Sequence, residues 1–279
     1  MKTRFILIQT SHAGNVGAVA RAMRTMGFDD LVLVEPRWPD VLTHQEAIDR
    51  ASGATDVLSK ARVVATLDEA LDGVQHLCAT AMVPRDFGPP TRSPRAHCEW
   101  LAQRQADSAE ASDPVAATPF VMPEGVAFLF GSERFGMRNE DVYRCNVALQ
   151  IPTAADFGSL NIAAAVQVIA YEWRLFLDAQ SAVVRPALGA GAEAGAPASG
   201  VAAAALADAQ AVAGLLEHWR QGLEAIGYLD PAAPKKLMAR LQQMFNRAQL
   251  SPEEIHLLRG VAKSMLYTAA QASNLPQRD

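Results

Sequence analysis

Residues Leu149-Gln-Ile-Pro-Thr-Ala-Ala-Asp-Phe-Gly-Ser-Leu-Asn161 run on into Ile162-Ala-Ala-Ala-Val-Gln-Val-Ile-Ala-Tyr-Glu-Trp173. The stretch reads as a short strand, a Pro-containing loop, a Gly-Ser pivot and a helix of small residues suited to close packing. Ser159 stands where an N-cap is expected, so its hydroxyl and the free amides of Leu160 and Asn161 open onto one spot. The plain alternative is an ordinary capped helix in a core. Two further stretches with the same strand, glycine turn, helix grammar favour a ligand site instead.

The first is Arg4 to Gln9, a β-type run, followed by Ser11-His-Ala-Gly14-Asn15-Val-Gly17-Ala-Val-Ala20-Arg21 and a helix over Asn15 to Met26. With the strand Leu31 to Val34 and Glu35 it imitates a dinucleotide-binding βαβ unit. Gly14 and Gly17 are three apart, however, which puts the tight turn and the pyrophosphate approach out of register. The second is the strand Val126 to Phe130, then Gly131-Ser-Glu133-Arg134-Phe-Gly136-Met-Arg138-Asn139. Its glycines let backbone approach a ligand while a carboxylate and a guanidinium point inward, and Asn139 reads as a helix cap followed by acids.

Between these stretches the alternation continues. A helical piece near His44 to Arg50, strands at Arg62 to Ala65 and His76 to Ala81, a short helix from Asp68 and a helix over Ala96 to Ala111 predict an α/β fold. Its sheet is mainly parallel, with helices on both faces. The Pro- and Arg-rich loop Met82 to Arg95 leaves the carboxyl end of a strand, where open α/β sheets bind ligands. Residues 181–207 are Ala, Gly, Pro and Ser with few large side chains and read as a flexible linker. Three helices follow, over Ala209 to Ile226, Pro234 to Ala248 and Ser251 to Ala272, the last opened by Ser251-Pro252-Glu253-Glu254. On the middle helix Lys236, Arg240 and Arg247 fall within about 40° of one another, opposite Leu237, Leu241 and Met244.

Composition sets outer limits. The 279 residues are 50% hydrophobic and 20% charged, enough for an α/β domain and an appendage. No apolar run approaches the roughly 20 residues of a membrane span. The opening Met-Lys-Thr-Arg-Phe-Ile-Leu-Ile reads as a first strand, because polar Gln9 to His12 cut its apolar run short. Cys78, Cys98 and Cys145 are far apart, form no CxxC pair and are odd in number, which fits reduced thiols in a cytoplasm and argues against a zinc site; no metal is expected in the chemistry. A formal charge of -5 does not advertise nucleic-acid binding, so DNA is not expected and RNA binding rests on local clusters.

Taken together, three segments resemble the motifs of the SPOUT class of S-adenosylmethionine-dependent RNA methyltransferases: Asn15 to Arg21, Phe130 to Gly136, and Ile151-Pro152 through Ser159-Leu160-Asn161. Within that class the chain is most similar to the bacterial tRNA ribose 2′-O-methyltransferases acting on cytidine or uridine 32. His12-Ala-Gly-Asn15, Ala165 to Glu172, and Lys236 to Arg240 with Phe245-Asn-Arg247 and Leu258-Arg-Gly260 extend the similarity over most of the chain. The resemblance implies a trefoil-knotted methyltransferase domain over 1–180, a linker over 181–207, a helical tRNA-binding extension over 208–279, and a homodimer with active sites at its interface. It implies a cofactor surrounded by Thr80, Ala81, Met82, Gly131, Ile151, Ser159, Leu160 and Asn161, with Glu133 organising pocket and interface. Asn15 and Ser159 orient the ribose, Arg21 acts on the 2′-hydroxyl or its neighbouring phosphate, and Lys236, Arg240 and Arg247 hold RNA. Gly158 departs from the family, where a second hydroxyl residue often precedes Ser159. A nicotinamide-dependent oxidoreductase, a non-catalytic RNA-binding protein on the same fold, and 2′-O-methylation of another RNA such as rRNA are the competing readings.

Overall fold

The computed structural model describes residues 1–110, 120–189 and 205–273. In chain order the elements are β1 (Lys2–Ile8), α1 (Ala13–Thr25), β2 (Asp30–Val34), α2 (Gln45–Ala51), α3 (Thr55–Lys60), β3 (Arg62–Val64), α4 (Leu67–Ala70), β4 (His76–Thr80) and β5 (Thr91–Arg92). Then come α5 (Pro94–Glu110), β6 (Gly125–Phe130), α6 (Asn139–Tyr143), β7 (Val147–Leu149), α7 (Ile162–Gly189), α8 (Ala209–Ala225), α9 (Leu237–Ala248) and α10 (Pro252–Ser273).

The seven strands form one sheet in the order β3-β2-β1-β6-β4-β7-β5, and every pairing is parallel. The period-2 pattern of the strands divides the core. Phe5, Leu7, Leu31, Leu33, Phe128 and Phe130 face the layer carrying Val16, Met23, Ile169 and Trp173. Ile6, Ile8, Val32, Val34, Ala127 and Leu129 face the layer carrying Leu67, Leu71, Val142 and Cys145. Helices thus cover both faces, as the alternating pattern requires.

Several expectations shift. The short α3 and two-residue β5 were not anticipated, because each is too short to carry a period. α6 is preceded by Arg138 rather than capped by Asn139; the Asn139 amide instead accepts from Arg85 Nε at 2.8 Å. The Ser159 cap is likewise displaced: α7 begins at Ile162, and the Asn161 side chain accepts from Ala163 N at 2.9 Å. That helix, expected to end near Ala179, continues to Gly189, so the stretch expected as a linker begins as helix, and 190–204 lies outside the described residues. At its far end the Ala207 N–H donates to Leu250 O at 2.8 Å.

Helices α8, α9 and α10 pack around Leu215, Leu216, Phe245, Leu250 and Ile255. On α9 the buried stripe is Met238, Leu241 and Phe245, while Met244 is exposed. Asn246 and Gln243 on the same helix bond back to the α6 end: Asn246 Nδ2 donates to Arg144 O and Cys145 O at 3.2 and 3.0 Å, and Gln243 Nε2 to Tyr143 O at 3.0 Å. α10 opens with the reciprocal bonds expected of its sequence, Glu254 N to Ser251 Oγ and Ser251 N to Glu254 Oε2. Among the described residues no helix is long and apolar enough to cross a membrane.

Candidate active site

Because β6, β4 and β7 are neighbours, the loops leaving their carboxyl ends meet at one edge of the sheet. Short bonds fix where each begins. Thr80 Oγ1 donates to Leu129 O at 2.9 Å, Ala81 N to Leu149 O at 3.0 Å, and Gln150 Nε2 to Met82 O at 2.8 Å. Between the loops lies an open cleft of about 930 Å³. Thr80, Ala81, Met82, Gly131, Glu133 and Ile151 line it, as do Asn15 and Ser159 to Asn161. The segments singled out in the sequence therefore converge.

The loop after β6 is shaped by two glycines. A Cβ on Gly131 would fall against the backbone of Gly136 and Met137, and Gly136 holds φ at +69°, a region open to glycine without strain. Gly136 N closes the turn on Ser132 O at 2.8 Å. Arg85, which sequence reasoning passed over, braces the opposite wall: besides Asn139, its Nη2 donates to Met137 O at 3.2 Å.

Glu133 is the hub of the site. Its Oε1 accepts from Thr10 Oγ1 at 2.9 Å and Asn15 Nδ2 at 2.8 Å, and its Oε2 accepts from Ser11 N and Ser11 Oγ, both at 2.9 Å. Burial pushes this carboxyl up, but the hydrogen bonds from Asn15, Ser11 and its own backbone outweigh that and hold it down at about 2. It is an anion throughout the neutral range and unsuited to act as a base. Asn161 Nδ2 donates to Asn15 Oδ1 at 3.0 Å, so one chain of bonds joins the β6 loop, the start of α1 and the start of α7.

Other side chains stand elsewhere. Arg21 is exposed on α1 and lies outside this cleft. Arg134, expected to point inward, is exposed yet among the residues that line the cleft, with its guanidinium 5.2 Å from the Phe135 ring centre. Phe135 and Phe157, each 80% exposed, project from the β6 and β7 loops. Lys236 and Arg240 lie over the ring of Phe87, at 4.0 and 5.0 Å, in the loop that leaves β4; Arg247 is exposed. A Cβ on Gly158 would come 2.9 Å from Thr153 Oγ1, so the Thr153 hydroxyl already occupies the space beside Ser159.

The chain belongs to the SpoU rRNA Methylase family, whose sequence model matches residues 2–171. Residues 210–274 match a second family, the C-terminal domain of the tRNA methyltransferase TrmJ. Among individual proteins, the tRNA (cytidine/uridine/adenosine-2′-O-)-methyltransferase TrmJ of Pseudomonas aeruginosa (strain UCBPP-PA14) is 37% identical over 261 residues, covering 93% of this chain and 92% of that protein. The crystal structure of TrmJ from Z. mobilis ZM4 is similar at a TM-score of 0.70 and 28% identity, over 95% of this chain and 99% of that one. A probable methyltransferase from Bordetella pertussis Tohama I is similar over 63% of this chain and 96% of its own, with a TM-score of 0.53 and 42% identity.

Proposed function

We propose that the chain transfers a methyl group from S-adenosylmethionine to the ribose 2′-hydroxyl of tRNA, at nucleotide 32 of the anticodon loop, on cytidine, uridine or both. The observation that carries this reading is the Glu133, Asn15, Asn161 chain, which ties all three sequence segments around one cleft. The match of 210–274 to the C-terminal domain of a tRNA methyltransferase and the activity by which the Pseudomonas relative is named support tRNA as substrate. A cytoplasmic location belongs to the same proposal, and neither DNA nor a membrane is a partner in this reading.

The cleft suits the cofactor. Its volume is within the roughly 300–1,000 Å³ of small-molecule sites, and the Gly131 turn presents backbone where no side chain fits. Thr80, Ala81, Met82, Gly131, Ile151 and Leu160 would hold it largely through main-chain groups and apolar contact. When bound, it supplies an electrophilic methyl on a sulfonium. That chemistry would be transfer of the methyl carbon to the ribose oxygen, with a thioether as the leaving group and the hydroxyl proton released to water. Holding the oxygen in line supplies several kcal/mol of the barrier. Asn15 keeps one amide hydrogen and one lone pair beyond its bonds to Glu133 and Asn161; with Ser159 it would orient the ribose.

Arg21 binds the adjacent phosphate and steadies oxyanion character, a role a guanidinium fills better than proton abstraction. Its position outside its own cleft fits a homodimer in which it serves the partner's site. Val168, Tyr171 and Leu175 form an exposed apolar stripe on α7, which packs against α1, and this supports that assembly. The trefoil thread of α7 through the preceding loops, and the division into a methyltransferase domain and a tRNA-binding extension, belong to the same proposal. The dinucleotide reading fares worse, because Gly14 and Gly17 are taken up by α2: a Cβ on either would meet Glu46 or Ala47. Calorimetry tests the reading. Binding of S-adenosylmethionine or its demethylated product with none of NAD is expected, and NAD binding alone would overturn it.

A further inference from the structure

Strand β4 and helix α5 bring together three side chains that the methyl-transfer site does not use. His76 and Cys78, two apart on the strand, share a face, and His97 from α5 closes on them. All three are buried, at 6%, 0% and 1% exposure. His76 Nε2 lies 3.1 Å from His97 Nε2, and Cys78 Sγ lies 3.8 Å from the same nitrogen. The three atoms fall within 4.8 Å of one another. The imidazole planes differ by only 10°, and His97 Nδ1 has no hydrogen-bond partner, so the polar contacts of the His97 ring all converge on His76 and Cys78.

A hydrogen bond alone accounts for this poorly. His97 Nε2 carries at most one proton, which serves either His76 or Cys78 and leaves the other facing it unpaired. A cation at the centre serves all three. With metal–nitrogen bonds of about 2.0–2.1 Å and a metal–sulfur bond of about 2.3 Å, trigonal or tetrahedral ligation sets the nitrogens about 3.3–3.6 Å apart and nitrogen and sulfur about 3.5–3.8 Å apart. The His76–His97 and Cys78–His97 separations lie within a few tenths of an ångström of these, and His76 Nε2 and Cys78 Sγ lie within 4.8 Å of each other.

The geometry points to a buried, thiophilic metal site formed by His76, Cys78 and His97, fitted to a monovalent d¹⁰ ion of the Cu(I) class. The donor set of two imidazoles and one thiolate suits soft ions. Charge decides the valence. Arg92 lies over the Trp100 ring at 4.3 Å, and Trp100 stacks on His97, so a guanidinium stands close to the cluster. A monovalent ion with the Cys78 thiolate leaves the core neutral, whereas a divalent one leaves a positive charge buried beside another. On binding, the Cys78 thiol proton passes to solvent as the sulfur–metal bond forms. Burial already holds both imidazoles neutral, His76 down at about 4. The ion ties α5 to the strand that carries Thr80 and Ala81 into the cleft.

The test is anaerobic titration of the full-length protein with Cu(I) against a competing chelator, with X-ray absorption of the loaded protein. One ion per chain, retained through gel filtration, with a shell of one sulfur and two nitrogens, is expected. Cys78→Ser and His97→Gln should lose it, while Cys98→Ser and Cys145→Ser retain it. No uptake by the wild-type protein, a shell lacking sulfur or holding two, unchanged uptake by Cys78→Ser, or preference for Zn(II) over Cu(I) would overturn the proposal. The wild-type absorption spectrum decides the matter even if the substituted proteins fold badly.

Discussion

Replacing Glu133 by Gln tests the organisation of the cleft, because the bond chain has a fixed direction. At one end the Ala163 N–H donates to Asn161 Oδ1; at the other the Ser11 N–H donates to Glu133 Oε2. Neither backbone donor can turn round. Between them Asn161 donates to Asn15 and Asn15 donates to Glu133, so position 133 must accept from both sides, which a carboxylate does and an amide does not. In Glu133→Gln the side-chain oxygen stays with Ser11, and Nε2 faces Asn15 Nδ2, donor against donor. Inverting Asn15 only moves the clash to Asn161, and inverting Asn161 breaks the bond to Ala163 N. One mismatch costs about 1–3 kcal/mol when buried. The carboxyl held at about 2 against an ordinary 4.5 sets an upper bound of ~3 kcal/mol, and exposure of this side chain screens it to about 1–2 kcal/mol. The expected result is a melting midpoint lower by about 2–8 °C and cofactor affinity weaker by about 5–30-fold.

The sign with pH follows from the depressed carboxyl: its stabilisation is complete above about 4.5, the unfolded value, and is lost as pH falls towards about 2. Denaturant unfolding should therefore show wild type losing its margin over Glu133→Gln across that window. Adding Asn15→Asp restores an acceptor between the two amides and should recover at least half of the loss in stability. A Glu133→Gln protein as stable as wild type at pH 7, or a double variant with no recovery, would refute the directional chain.

Further outcomes follow from the same geometry. Gly131→Ala places a methyl group against the Gly136 and Met137 backbone, and calorimetry should show cofactor binding lost, with about 1–3 kcal/mol of stability removed. Arg21→Ala should abolish turnover while sparing cofactor binding, and Arg21→Lys should restore little. Heterodimers of Arg21→Ala with the pocket-blocked Gly131→Trp should regain up to about half of wild-type activity through one intact composite site; inactive heterodimers that still bind cofactor would place Arg21 in its own subunit's site. Substituting Lys236, Arg240 and Arg247 together by Ala should flatten the log-log salt dependence of tRNA binding by about 2, and an unchanged slope would show that this face does not hold phosphate.

Much of this was legible because it is periodic. The alternating strands β1, β2, β4 and β6 and the three- and four-residue spacing of α1 announced a parallel sheet, and glycine turns at strand ends marked the cleft. Relations between distant side chains were not legible. Asn139 and Ser159 looked like caps, yet Arg85, 54 positions away, claims the first, and Asn161 takes the place expected of the second. Thr10 and Ser11 gave no sign of meeting Glu133 across more than 120 positions. On α9, choosing Leu237 and Met244 over Met238 and Phe245 missed the buried stripe because Gln243 and Asn246, polar but turned inward, obscure it. The pairing of His76 with Cys78 at i, i+2 on a strand is a usable signal for a shared face, but His97 comes from α5, and no spacing in the sequence ties it to the pair.

The most direct measurement is a map of ribose methylation across the tRNA of cells that make this protein and cells that lack it. The account requires 2′-O-methylation at nucleotide 32 to vanish with the protein, to return with the wild-type chain and to stay absent with Arg21→Ala. Methylation at nucleotide 32 that persists without the protein, or a loss confined to other RNA, would contradict it.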